Sequence, residues 1–192
     1  MTQIYLEYFP NYFVGILFTI LFFTILAVEL RIFSKQRLTG GFSRDRKSLL
    51  LILIGVVLSL FSLFLFPYLG IGKINPAFTY LGMLVLISGF MLRQWSIQIL
   101  GRLFTPVISI QEDHKLILRG PYKYIRHPSY SGLLMELLGA SLAVFNWLSF
   151  VLIFCFMLPP LIYRIKAEEN ELIKQFGQDY IDYKKKTKML IP

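Results

Sequence analysis

This sequence is poor in sulfur and imidazole: one cysteine, Cys155, and two histidines, His114 and His127, in 192 residues. A lone cysteine has no intrachain disulfide partner, and inside an apolar run it reads as a small core residue rather than a nucleophile. The two histidines lie thirteen positions apart with no cysteine beside either, which is not the spacing of a metal site. Charge is scarce as well, with Asp, Glu, Lys and Arg together making 16% of the chain, and acids number 11 against 20 basic residues. There is no GxGxxG turn after a strand, no phosphate-binding GxxxxGK[ST] loop, no internal repeat and no Ser/Thr/Pro-rich linker. What remains is a single domain without a soluble nucleotide-binding fold.

Apolar residues make up 56% of the chain, with 18 Phe and 11 Tyr, more apolar surface than a soluble domain of this size can bury. A bilayer core ~30 Å thick asks for about 20 apolar residues per helix. Five runs approach that length: Tyr12–Phe33, Ser48–Leu69, Ala77–Leu100, and two shorter ones, Ser131–Phe145 and Leu148–Tyr163. Only Asn146 and Trp147 separate the last two, so they predict a tight helical hairpin. The first run follows Glu7 and Pro10 rather than a basic segment, so it is expected to remain as a helix and not to be cleaved. The fold expected is all-α, an integral membrane protein of about five transmembrane helices.

Basic residues fall in three zones: six in Arg31–Lys47, five in Gly101–Arg126 and seven from Arg164 onward, whereas Phe66–Pro76 holds only Lys73. The positive-inside rule puts those zones in the cytoplasm, with the N-terminus outside and the C-terminus inside. The net charge of +9 is thereby accounted for by topology, and no nucleic acid partner is expected.

Two polar stretches stand out. Gly101–Tyr130 is too long for an economical connection and carries "RGPYKYIRHPSY", which concentrates Arg119, Lys123, Arg126 and His127 between apolar runs. Its short apolar runs, the turn at Glu112-Asp113 and the Gly120-Pro121 break predict a folded surface or re-entrant element. The second, "YRIKAEENELIKQFGQDYIDYKKKTKML", has apolar residues at helical spacing and predicts a C-terminal amphipathic helix at the membrane surface, broken near Gly177. Arg164, Glu168 and Glu171 share one face of it, and Glu169 lies about 100° round. Read from spacing alone, Arg164 and Glu168 form a surface ion pair, His127 caps a helix, Arg126 is a cytoplasmic anchor, Tyr124 belongs to an aromatic belt, and Phe176, Tyr180 and Tyr183 form a buried stripe. Glu29, Arg93 and Glu136 fall in or near hydrophobic runs, where ionised groups are costly and face protein or water. Pairing of Arg93 with Glu136, placement of Glu136 in an acceptor channel, and snorkelling of Arg93 beside Trp95 are the alternatives.

Taken in order, "HKLILRGPYKYIRHPSY", a two-helix hairpin and "YRIKAEENELIKQFGQDYIDY" resemble the isoprenylcysteine carboxyl methyltransferase family with its bacterial and phospholipid-methylating relatives, from His114 to the C-terminus. The first three helices match only in general character. The resemblance implies a single membrane methyltransferase domain over residues 1–192, with three helices in 1–100 and, in 101–192, a cytoplasmic cofactor-binding loop, the hairpin and the C-terminal helix. It implies S-adenosylmethionine as cofactor, S-adenosylhomocysteine as product, and a lipophilic acceptor drawn from the bilayer. By position in the motif, His114, Lys115, Leu116, Ile117, Tyr122, His127, Pro128, Ser129, Tyr130 and Glu168 line the cofactor, and Arg164 faces the acceptor. Glu168 or Glu169 binds the amino group or ribose hydroxyls, and Ser109 or Gln111 offers a further polar contact. The best-known acceptor of the family is a prenylcysteine carboxylate; a phosphatidylethanolamine-type amine is the rival. An NADPH-dependent sterol-type reductase would need a larger chain, and a non-enzymatic scaffold would leave His127, Arg164 and Glu168 unexplained.

Overall fold

A computed structural model describes residues 9–39, 46–72, 75, 77–104, 116–144 and 146–190. The expected sites His114, Lys115, Ser109 and Gln111 lie outside them. Among the described residues there are six α-helices: α1 Tyr12–Thr39, α2 Arg46–Tyr68, α3 Phe78–Leu100, α4 Pro128–Ala143, α5 Trp147–Phe176 and α6 Gln178–Lys186, with 3-10 turns at Gly101–Leu103 and Gly120–Lys123. An isolated parallel β-bridge joins Ile125 and Lys188.

Four of these helices, α1, α2, α3 and α5, are long and apolar enough to cross a membrane. The chain is a multi-pass integral membrane protein with an all-helical fold. The hairpin has the short first arm expected and differs from expectation in its second. Its first arm, α4, has 16 residues, ~24 Å of helix, which is shorter than the bilayer core. Its second arm does not stop at Tyr163. The last apolar run and the stretch expected to lie on the membrane surface form one helix of 30 residues, ~45 Å long, so that its final turns overshoot a bilayer. Pro159 and Pro160 sit inside it. Proline removes a backbone donor, but in membrane helices close neighbours can accommodate the freed carbonyl. The Phe156 carbonyl, whose helical partner would be the N–H of residue 160, faces Gly55 of α2, where a Cβ would lie 2.8 Å from that oxygen.

Local chemistry sets the ends. The Asn11 side chain accepts from the Val14 N–H at 3.0 Å to open α1, and Asn146 accepts from the Ser149 N–H at 2.8 Å to open α5. Gly177, at φ 54°, separates α5 from α6, as the sequence predicts.

Helices α3 and α4 run with almost no side-chain spacer. A Cβ on Gly82 would lie 2.2 Å from the Ala143 nitrogen, and one on Gly89 2.8 Å from the Gly132 carbonyl. Small residues facing each other let two membrane helices gain packing and polar contact that larger ones would prevent, and Thr79 donates to the Ala143 carbonyl across the seam at 3.1 Å. One apolar cluster joins Phe18, Phe22 and Ile25 of α1 to Leu63, Leu86 and Ala140. A second joins Ile52 and Leu137 to Ile153, Met157 and Leu161 of α5. Phe13, Val57, Phe61, Leu84 and Met91 point outward and are exposed, as lipid-facing positions are. This packing fixes the start of α4 against the last turns of α5.

Candidate active site

The segment leading into α4 is built from sequence-local constraints. Gly120 takes φ 61° and opens the 3-10 turn, Pro121 follows within its first positions, and Tyr122 is turned inward. Tyr124 points out, 60% exposed. His127 precedes Pro128, and its φ of −125° and ψ of 57° are non-helical, as a residue before proline requires. Pro128 then starts α4. The His127 side chain makes no capping bond, so its expected role as a helix cap is not met. Instead its ring stacks on Tyr130, centroids 5.8 Å apart at 17°.

Tyr130 stands between two charges of α5. Arg164 Nε donates to the Tyr130 hydroxyl at 2.9 Å, and that hydroxyl donates to Glu168 Oε2 at 2.8 Å. Arg164 is 3% exposed, and its Nη1 also donates to Ser48 Oγ of α2 at 2.9 Å. The pair expected on a solvated face is therefore an inward relay through a phenol, in which three helices meet. Tyr122 belongs to the same neighbourhood: burial, and after it the Glu168 carboxylate, pushes its phenol above the usual tyrosine range. It remains a neutral hydroxyl.

Glu169, turned away from Glu168 by one residue, closes a second centre. Its Oε1 lies 2.7 Å from Arg126 Nε and 3.4 Å from His127 Nε2, and its Oε2 lies 2.6 Å from Lys184 Nζ. Arg126 is 9% exposed; it is a buried ion-pair partner and not a surface anchor.

Ser129 is held from the membrane side. Arg93 Nη1 donates to its hydroxyl at 2.9 Å and to its carbonyl at 3.1 Å. Arg93 Nε in turn meets Glu29 Oε2 at 2.8 Å, and Gln94 donates to the other Glu29 oxygen at 3.0 Å. Arg93 neither snorkels nor pairs with Glu136. The Glu136 Oε1 is buried with no hydrogen-bond partner among the described residues, and the Glu136 backbone packs against Gly89 of α3.

Of the expected site residues, Tyr122, His127, Pro128, Ser129, Tyr130, Arg164, Glu168 and Glu169 gather around the junction of α4 and α5; Leu116 and Ile117 are half-buried ahead of it. Sequence reasoning missed Ser48, Lys184 and the tail. Phe176, Tyr180 and Tyr183 were read as a stripe, and Tyr180 and Tyr183 are indeed buried, packed edge to face at 5.8 Å.

Comparison with known proteins finds similarity over much of the chain. The description of the isoprenylcysteine carboxyl methyltransferase (ICMT) family matches residues 81–174. The protein-S-isoprenylcysteine O-methyltransferase of Saccharomyces cerevisiae is 38% identical over 67% of this chain and 56% of its own length. A probable protein-S-isoprenylcysteine O-methyltransferase of Oryza sativa subsp. indica is 35% identical over 59% of this chain and 61% of its own. A solved structure of the eukaryotic intramembrane Ras methyltransferase ICMT superposes with a TM-score of 0.55 at 27% identity, covering 79% of this chain and 54% of that one. This chain thus spans a little over half the length of these relatives. Over residues 81–174 the chain is similar to the isoprenylcysteine carboxyl methyltransferase family.

Proposed function

We propose that this chain is an S-adenosylmethionine-dependent membrane methyltransferase that methylates the carboxylate of a prenylated cysteine or a similar lipophilic acceptor at the cytoplasmic side of a membrane. Residues 1–100 supply the three membrane helices that support the site, and residues 101–192 the cofactor loop, hairpin and C-terminal helices. The observation that carries the reading is the Arg164–Tyr130–Glu168 relay, which places a guanidinium and a carboxylate on either side of one phenol. A site for a zwitterionic, cationic donor and an anionic acceptor needs both signs kept apart.

The residues present suit S-adenosylmethionine. Glu168, half-buried, offers an anionic partner to an ammonium or to ribose hydroxyls. The ring faces of His127 and Tyr130, with the half-buried Leu116 and Ile117, offer flat and apolar surface to a purine. Tyr122, Pro128 and Ser129 complete the wall, with His114 and Lys115 assigned to it from the motif. When bound, S-adenosylmethionine supplies an electrophilic methyl group on a sulfonium and leaves as S-adenosylhomocysteine.

The chain's own residues then act by position. Arg164 holds the acceptor carboxylate, for which a planar guanidinium is the suited partner, while Tyr130 fixes the rotamer of Arg164 and screens it from Glu168. Glu169 acts indirectly, by holding Arg126 and Lys184. A carboxylate is already a nucleophile, so the residues need supply alignment and water exclusion without a covalent intermediate. Calorimetry on detergent-purified protein tests the cofactor: S-adenosylhomocysteine is expected to bind and NADPH is not. The reverse result would assign the chain to dinucleotide chemistry.

A further inference from the structure

Residues 178–190 lie beyond the segment that the family description matches, yet Tyr183, Lys184 and Thr187–Leu190 all touch the cofactor-wall segment. The Lys188 N–H donates to the Tyr124 carbonyl at 3.0 Å, the Arg126 N–H to the Lys188 carbonyl at 2.9 Å, and the His127 N–H to the Met189 carbonyl at 3.2 Å. This is the parallel bridge of Ile125 with Lys188 extended by one residue. The Ser131 hydroxyl donates to the Leu190 carbonyl. The Tyr183 hydroxyl donates to the Tyr122 carbonyl at 2.6 Å, and Thr187 donates back to the Tyr183 carbonyl at 2.8 Å. Arg126 ties the assembly together. Its Nη1 donates to the Lys184 carbonyl at 3.1 Å and to the Thr187 carbonyl, while its Nε pairs with Glu169 of α5.

We infer that the tail following α6 is a positioning element of the cofactor pocket: Thr187–Leu190 pair with Tyr124–Ser131 and, through Arg126, set the orientation of His127 and the start of α4. The inference rests on the cofactor reading given above. Three features favour a positioning role over a mere chain end. Three of the contacts are main-chain to main-chain bonds, which fix backbone register and not only side-chain packing. They fall on a segment with little regular structure of its own, a single 3-10 turn and a non-helical pre-proline residue, which cannot hold its geometry by helical bonding. And the guanidinium that joins tail to wall is buried, with charged and carbonyl partners on both sides, so it tolerates few alternative arrangements. A displacement of the wall by about 1 Å is enough to lose much of the rate or affinity of an aligned site.

The test uses the full-length chain with Lys188 replaced. The Lys188 side chain is exposed, so Lys188→Ala keeps the backbone donor and serves as control, whereas Lys188→Pro deletes the N–H that Tyr124 receives. Dissociation constants for S-adenosylhomocysteine, the KM for a farnesylated cysteine analogue, and thermal midpoints are measured on each. The expected result is wild-type behaviour for Lys188→Ala and, for Lys188→Pro, about tenfold weaker S-adenosylhomocysteine binding with the acceptor KM within twofold of wild type. Ser131→Ala, which leaves the main chain intact and removes the Leu190 contact together with a longer 3.3 Å contact to the His127 carbonyl within α4's first turn, is expected to shift the same constant in the same direction, and it carries the test should Lys188→Pro not fold. A lowered thermal midpoint with unchanged S-adenosylhomocysteine affinity in both variants would overturn the inference and make the tail only structural. Wild-type protein that binds no S-adenosylhomocysteine would overturn the cofactor reading itself and this inference with it.

Discussion

Tyr130→Phe removes one oxygen and leaves the ring that stacks on His127. That oxygen accepts from Arg164 at 2.9 Å and donates to Glu168 at 2.8 Å, and hydrogen bonds to charged groups contribute ~1.5–3 kcal/mol each. Arg164 and Glu168 lie one helical turn apart, so without the phenol they pair directly, which recovers part of the loss. A net cost of ~1.5–3 kcal/mol follows. The guanidinium, drawn toward Glu168, no longer presents itself to an acceptor carboxylate, so the cost falls on catalysis: kcat/KM for a farnesylcysteine analogue in proteoliposomes drops by ~10- to 100-fold. Binding of S-adenosylhomocysteine weakens less, because Glu168 retains its charge. A variant with kcat/KM within twofold of wild type would refute the relay as the holder of Arg164.

Gly82→Leu has no room at the α3–α4 seam, where even a Cβ lies 2.2 Å from the Ala143 backbone; thermal stability in detergent falls, with a cost above ~2 kcal/mol, and a wild-type midpoint would contradict the close packing. Glu29→Gln and Arg93→Gln, made singly and together, give a coupling free energy of ~1–3 kcal/mol in denaturation experiments, since the pair is largely shielded from water; additivity would show that the two do not interact. Burial pushes the Tyr183 phenol up to about 12, against the lowering pull of Arg126. A phenol whose folded value lies above the ordinary ~10 contributes stability that is complete below pH ~10 and is lost as pH rises through about 12. Tyr183→Phe therefore flattens the alkaline fall of the thermal midpoint between those values, and an unchanged slope would remove Tyr183 as its cause.

The first three helices were legible because long apolar runs bounded by basic clusters have few other meanings, and the break at Gly177 because glycine at the end of a periodic stretch favours a left-handed turn. The spacing of Arg164, Glu168 and Glu169 correctly separated two faces. What spacing could not give was their direction: the same positions would serve on a solvated face, and only packing of α5 against α2 and α4 turns them inward. The continuity of α5 past Tyr163 was hidden because the change there from apolar to charged residues reads as the end of a span; the helix runs on through Pro159-Pro160 with the freed Phe156 carbonyl against Gly55, more than a hundred positions away. The partner of Arg93 was also remote in sequence, Glu29 being 64 positions distant. A run of lysines obscured the tail. Its contacts are made by main-chain atoms, which leave no mark in side-chain type.

The most direct test of the central claim is transfer of a labelled methyl group from S-adenosylmethionine by purified wild-type and Arg164→Ala protein, with a farnesylated cysteine analogue and total membrane lipid offered separately. Base treatment distinguishes the products, because a methyl ester releases methanol and a methylated amine does not. Base-labile label on the farnesylcysteine, lost in Arg164→Ala while S-adenosylhomocysteine still binds, is the predicted result. Base-stable label confined to the lipid fraction would contradict carboxyl methylation and make this chain a lipid amine methyltransferase instead.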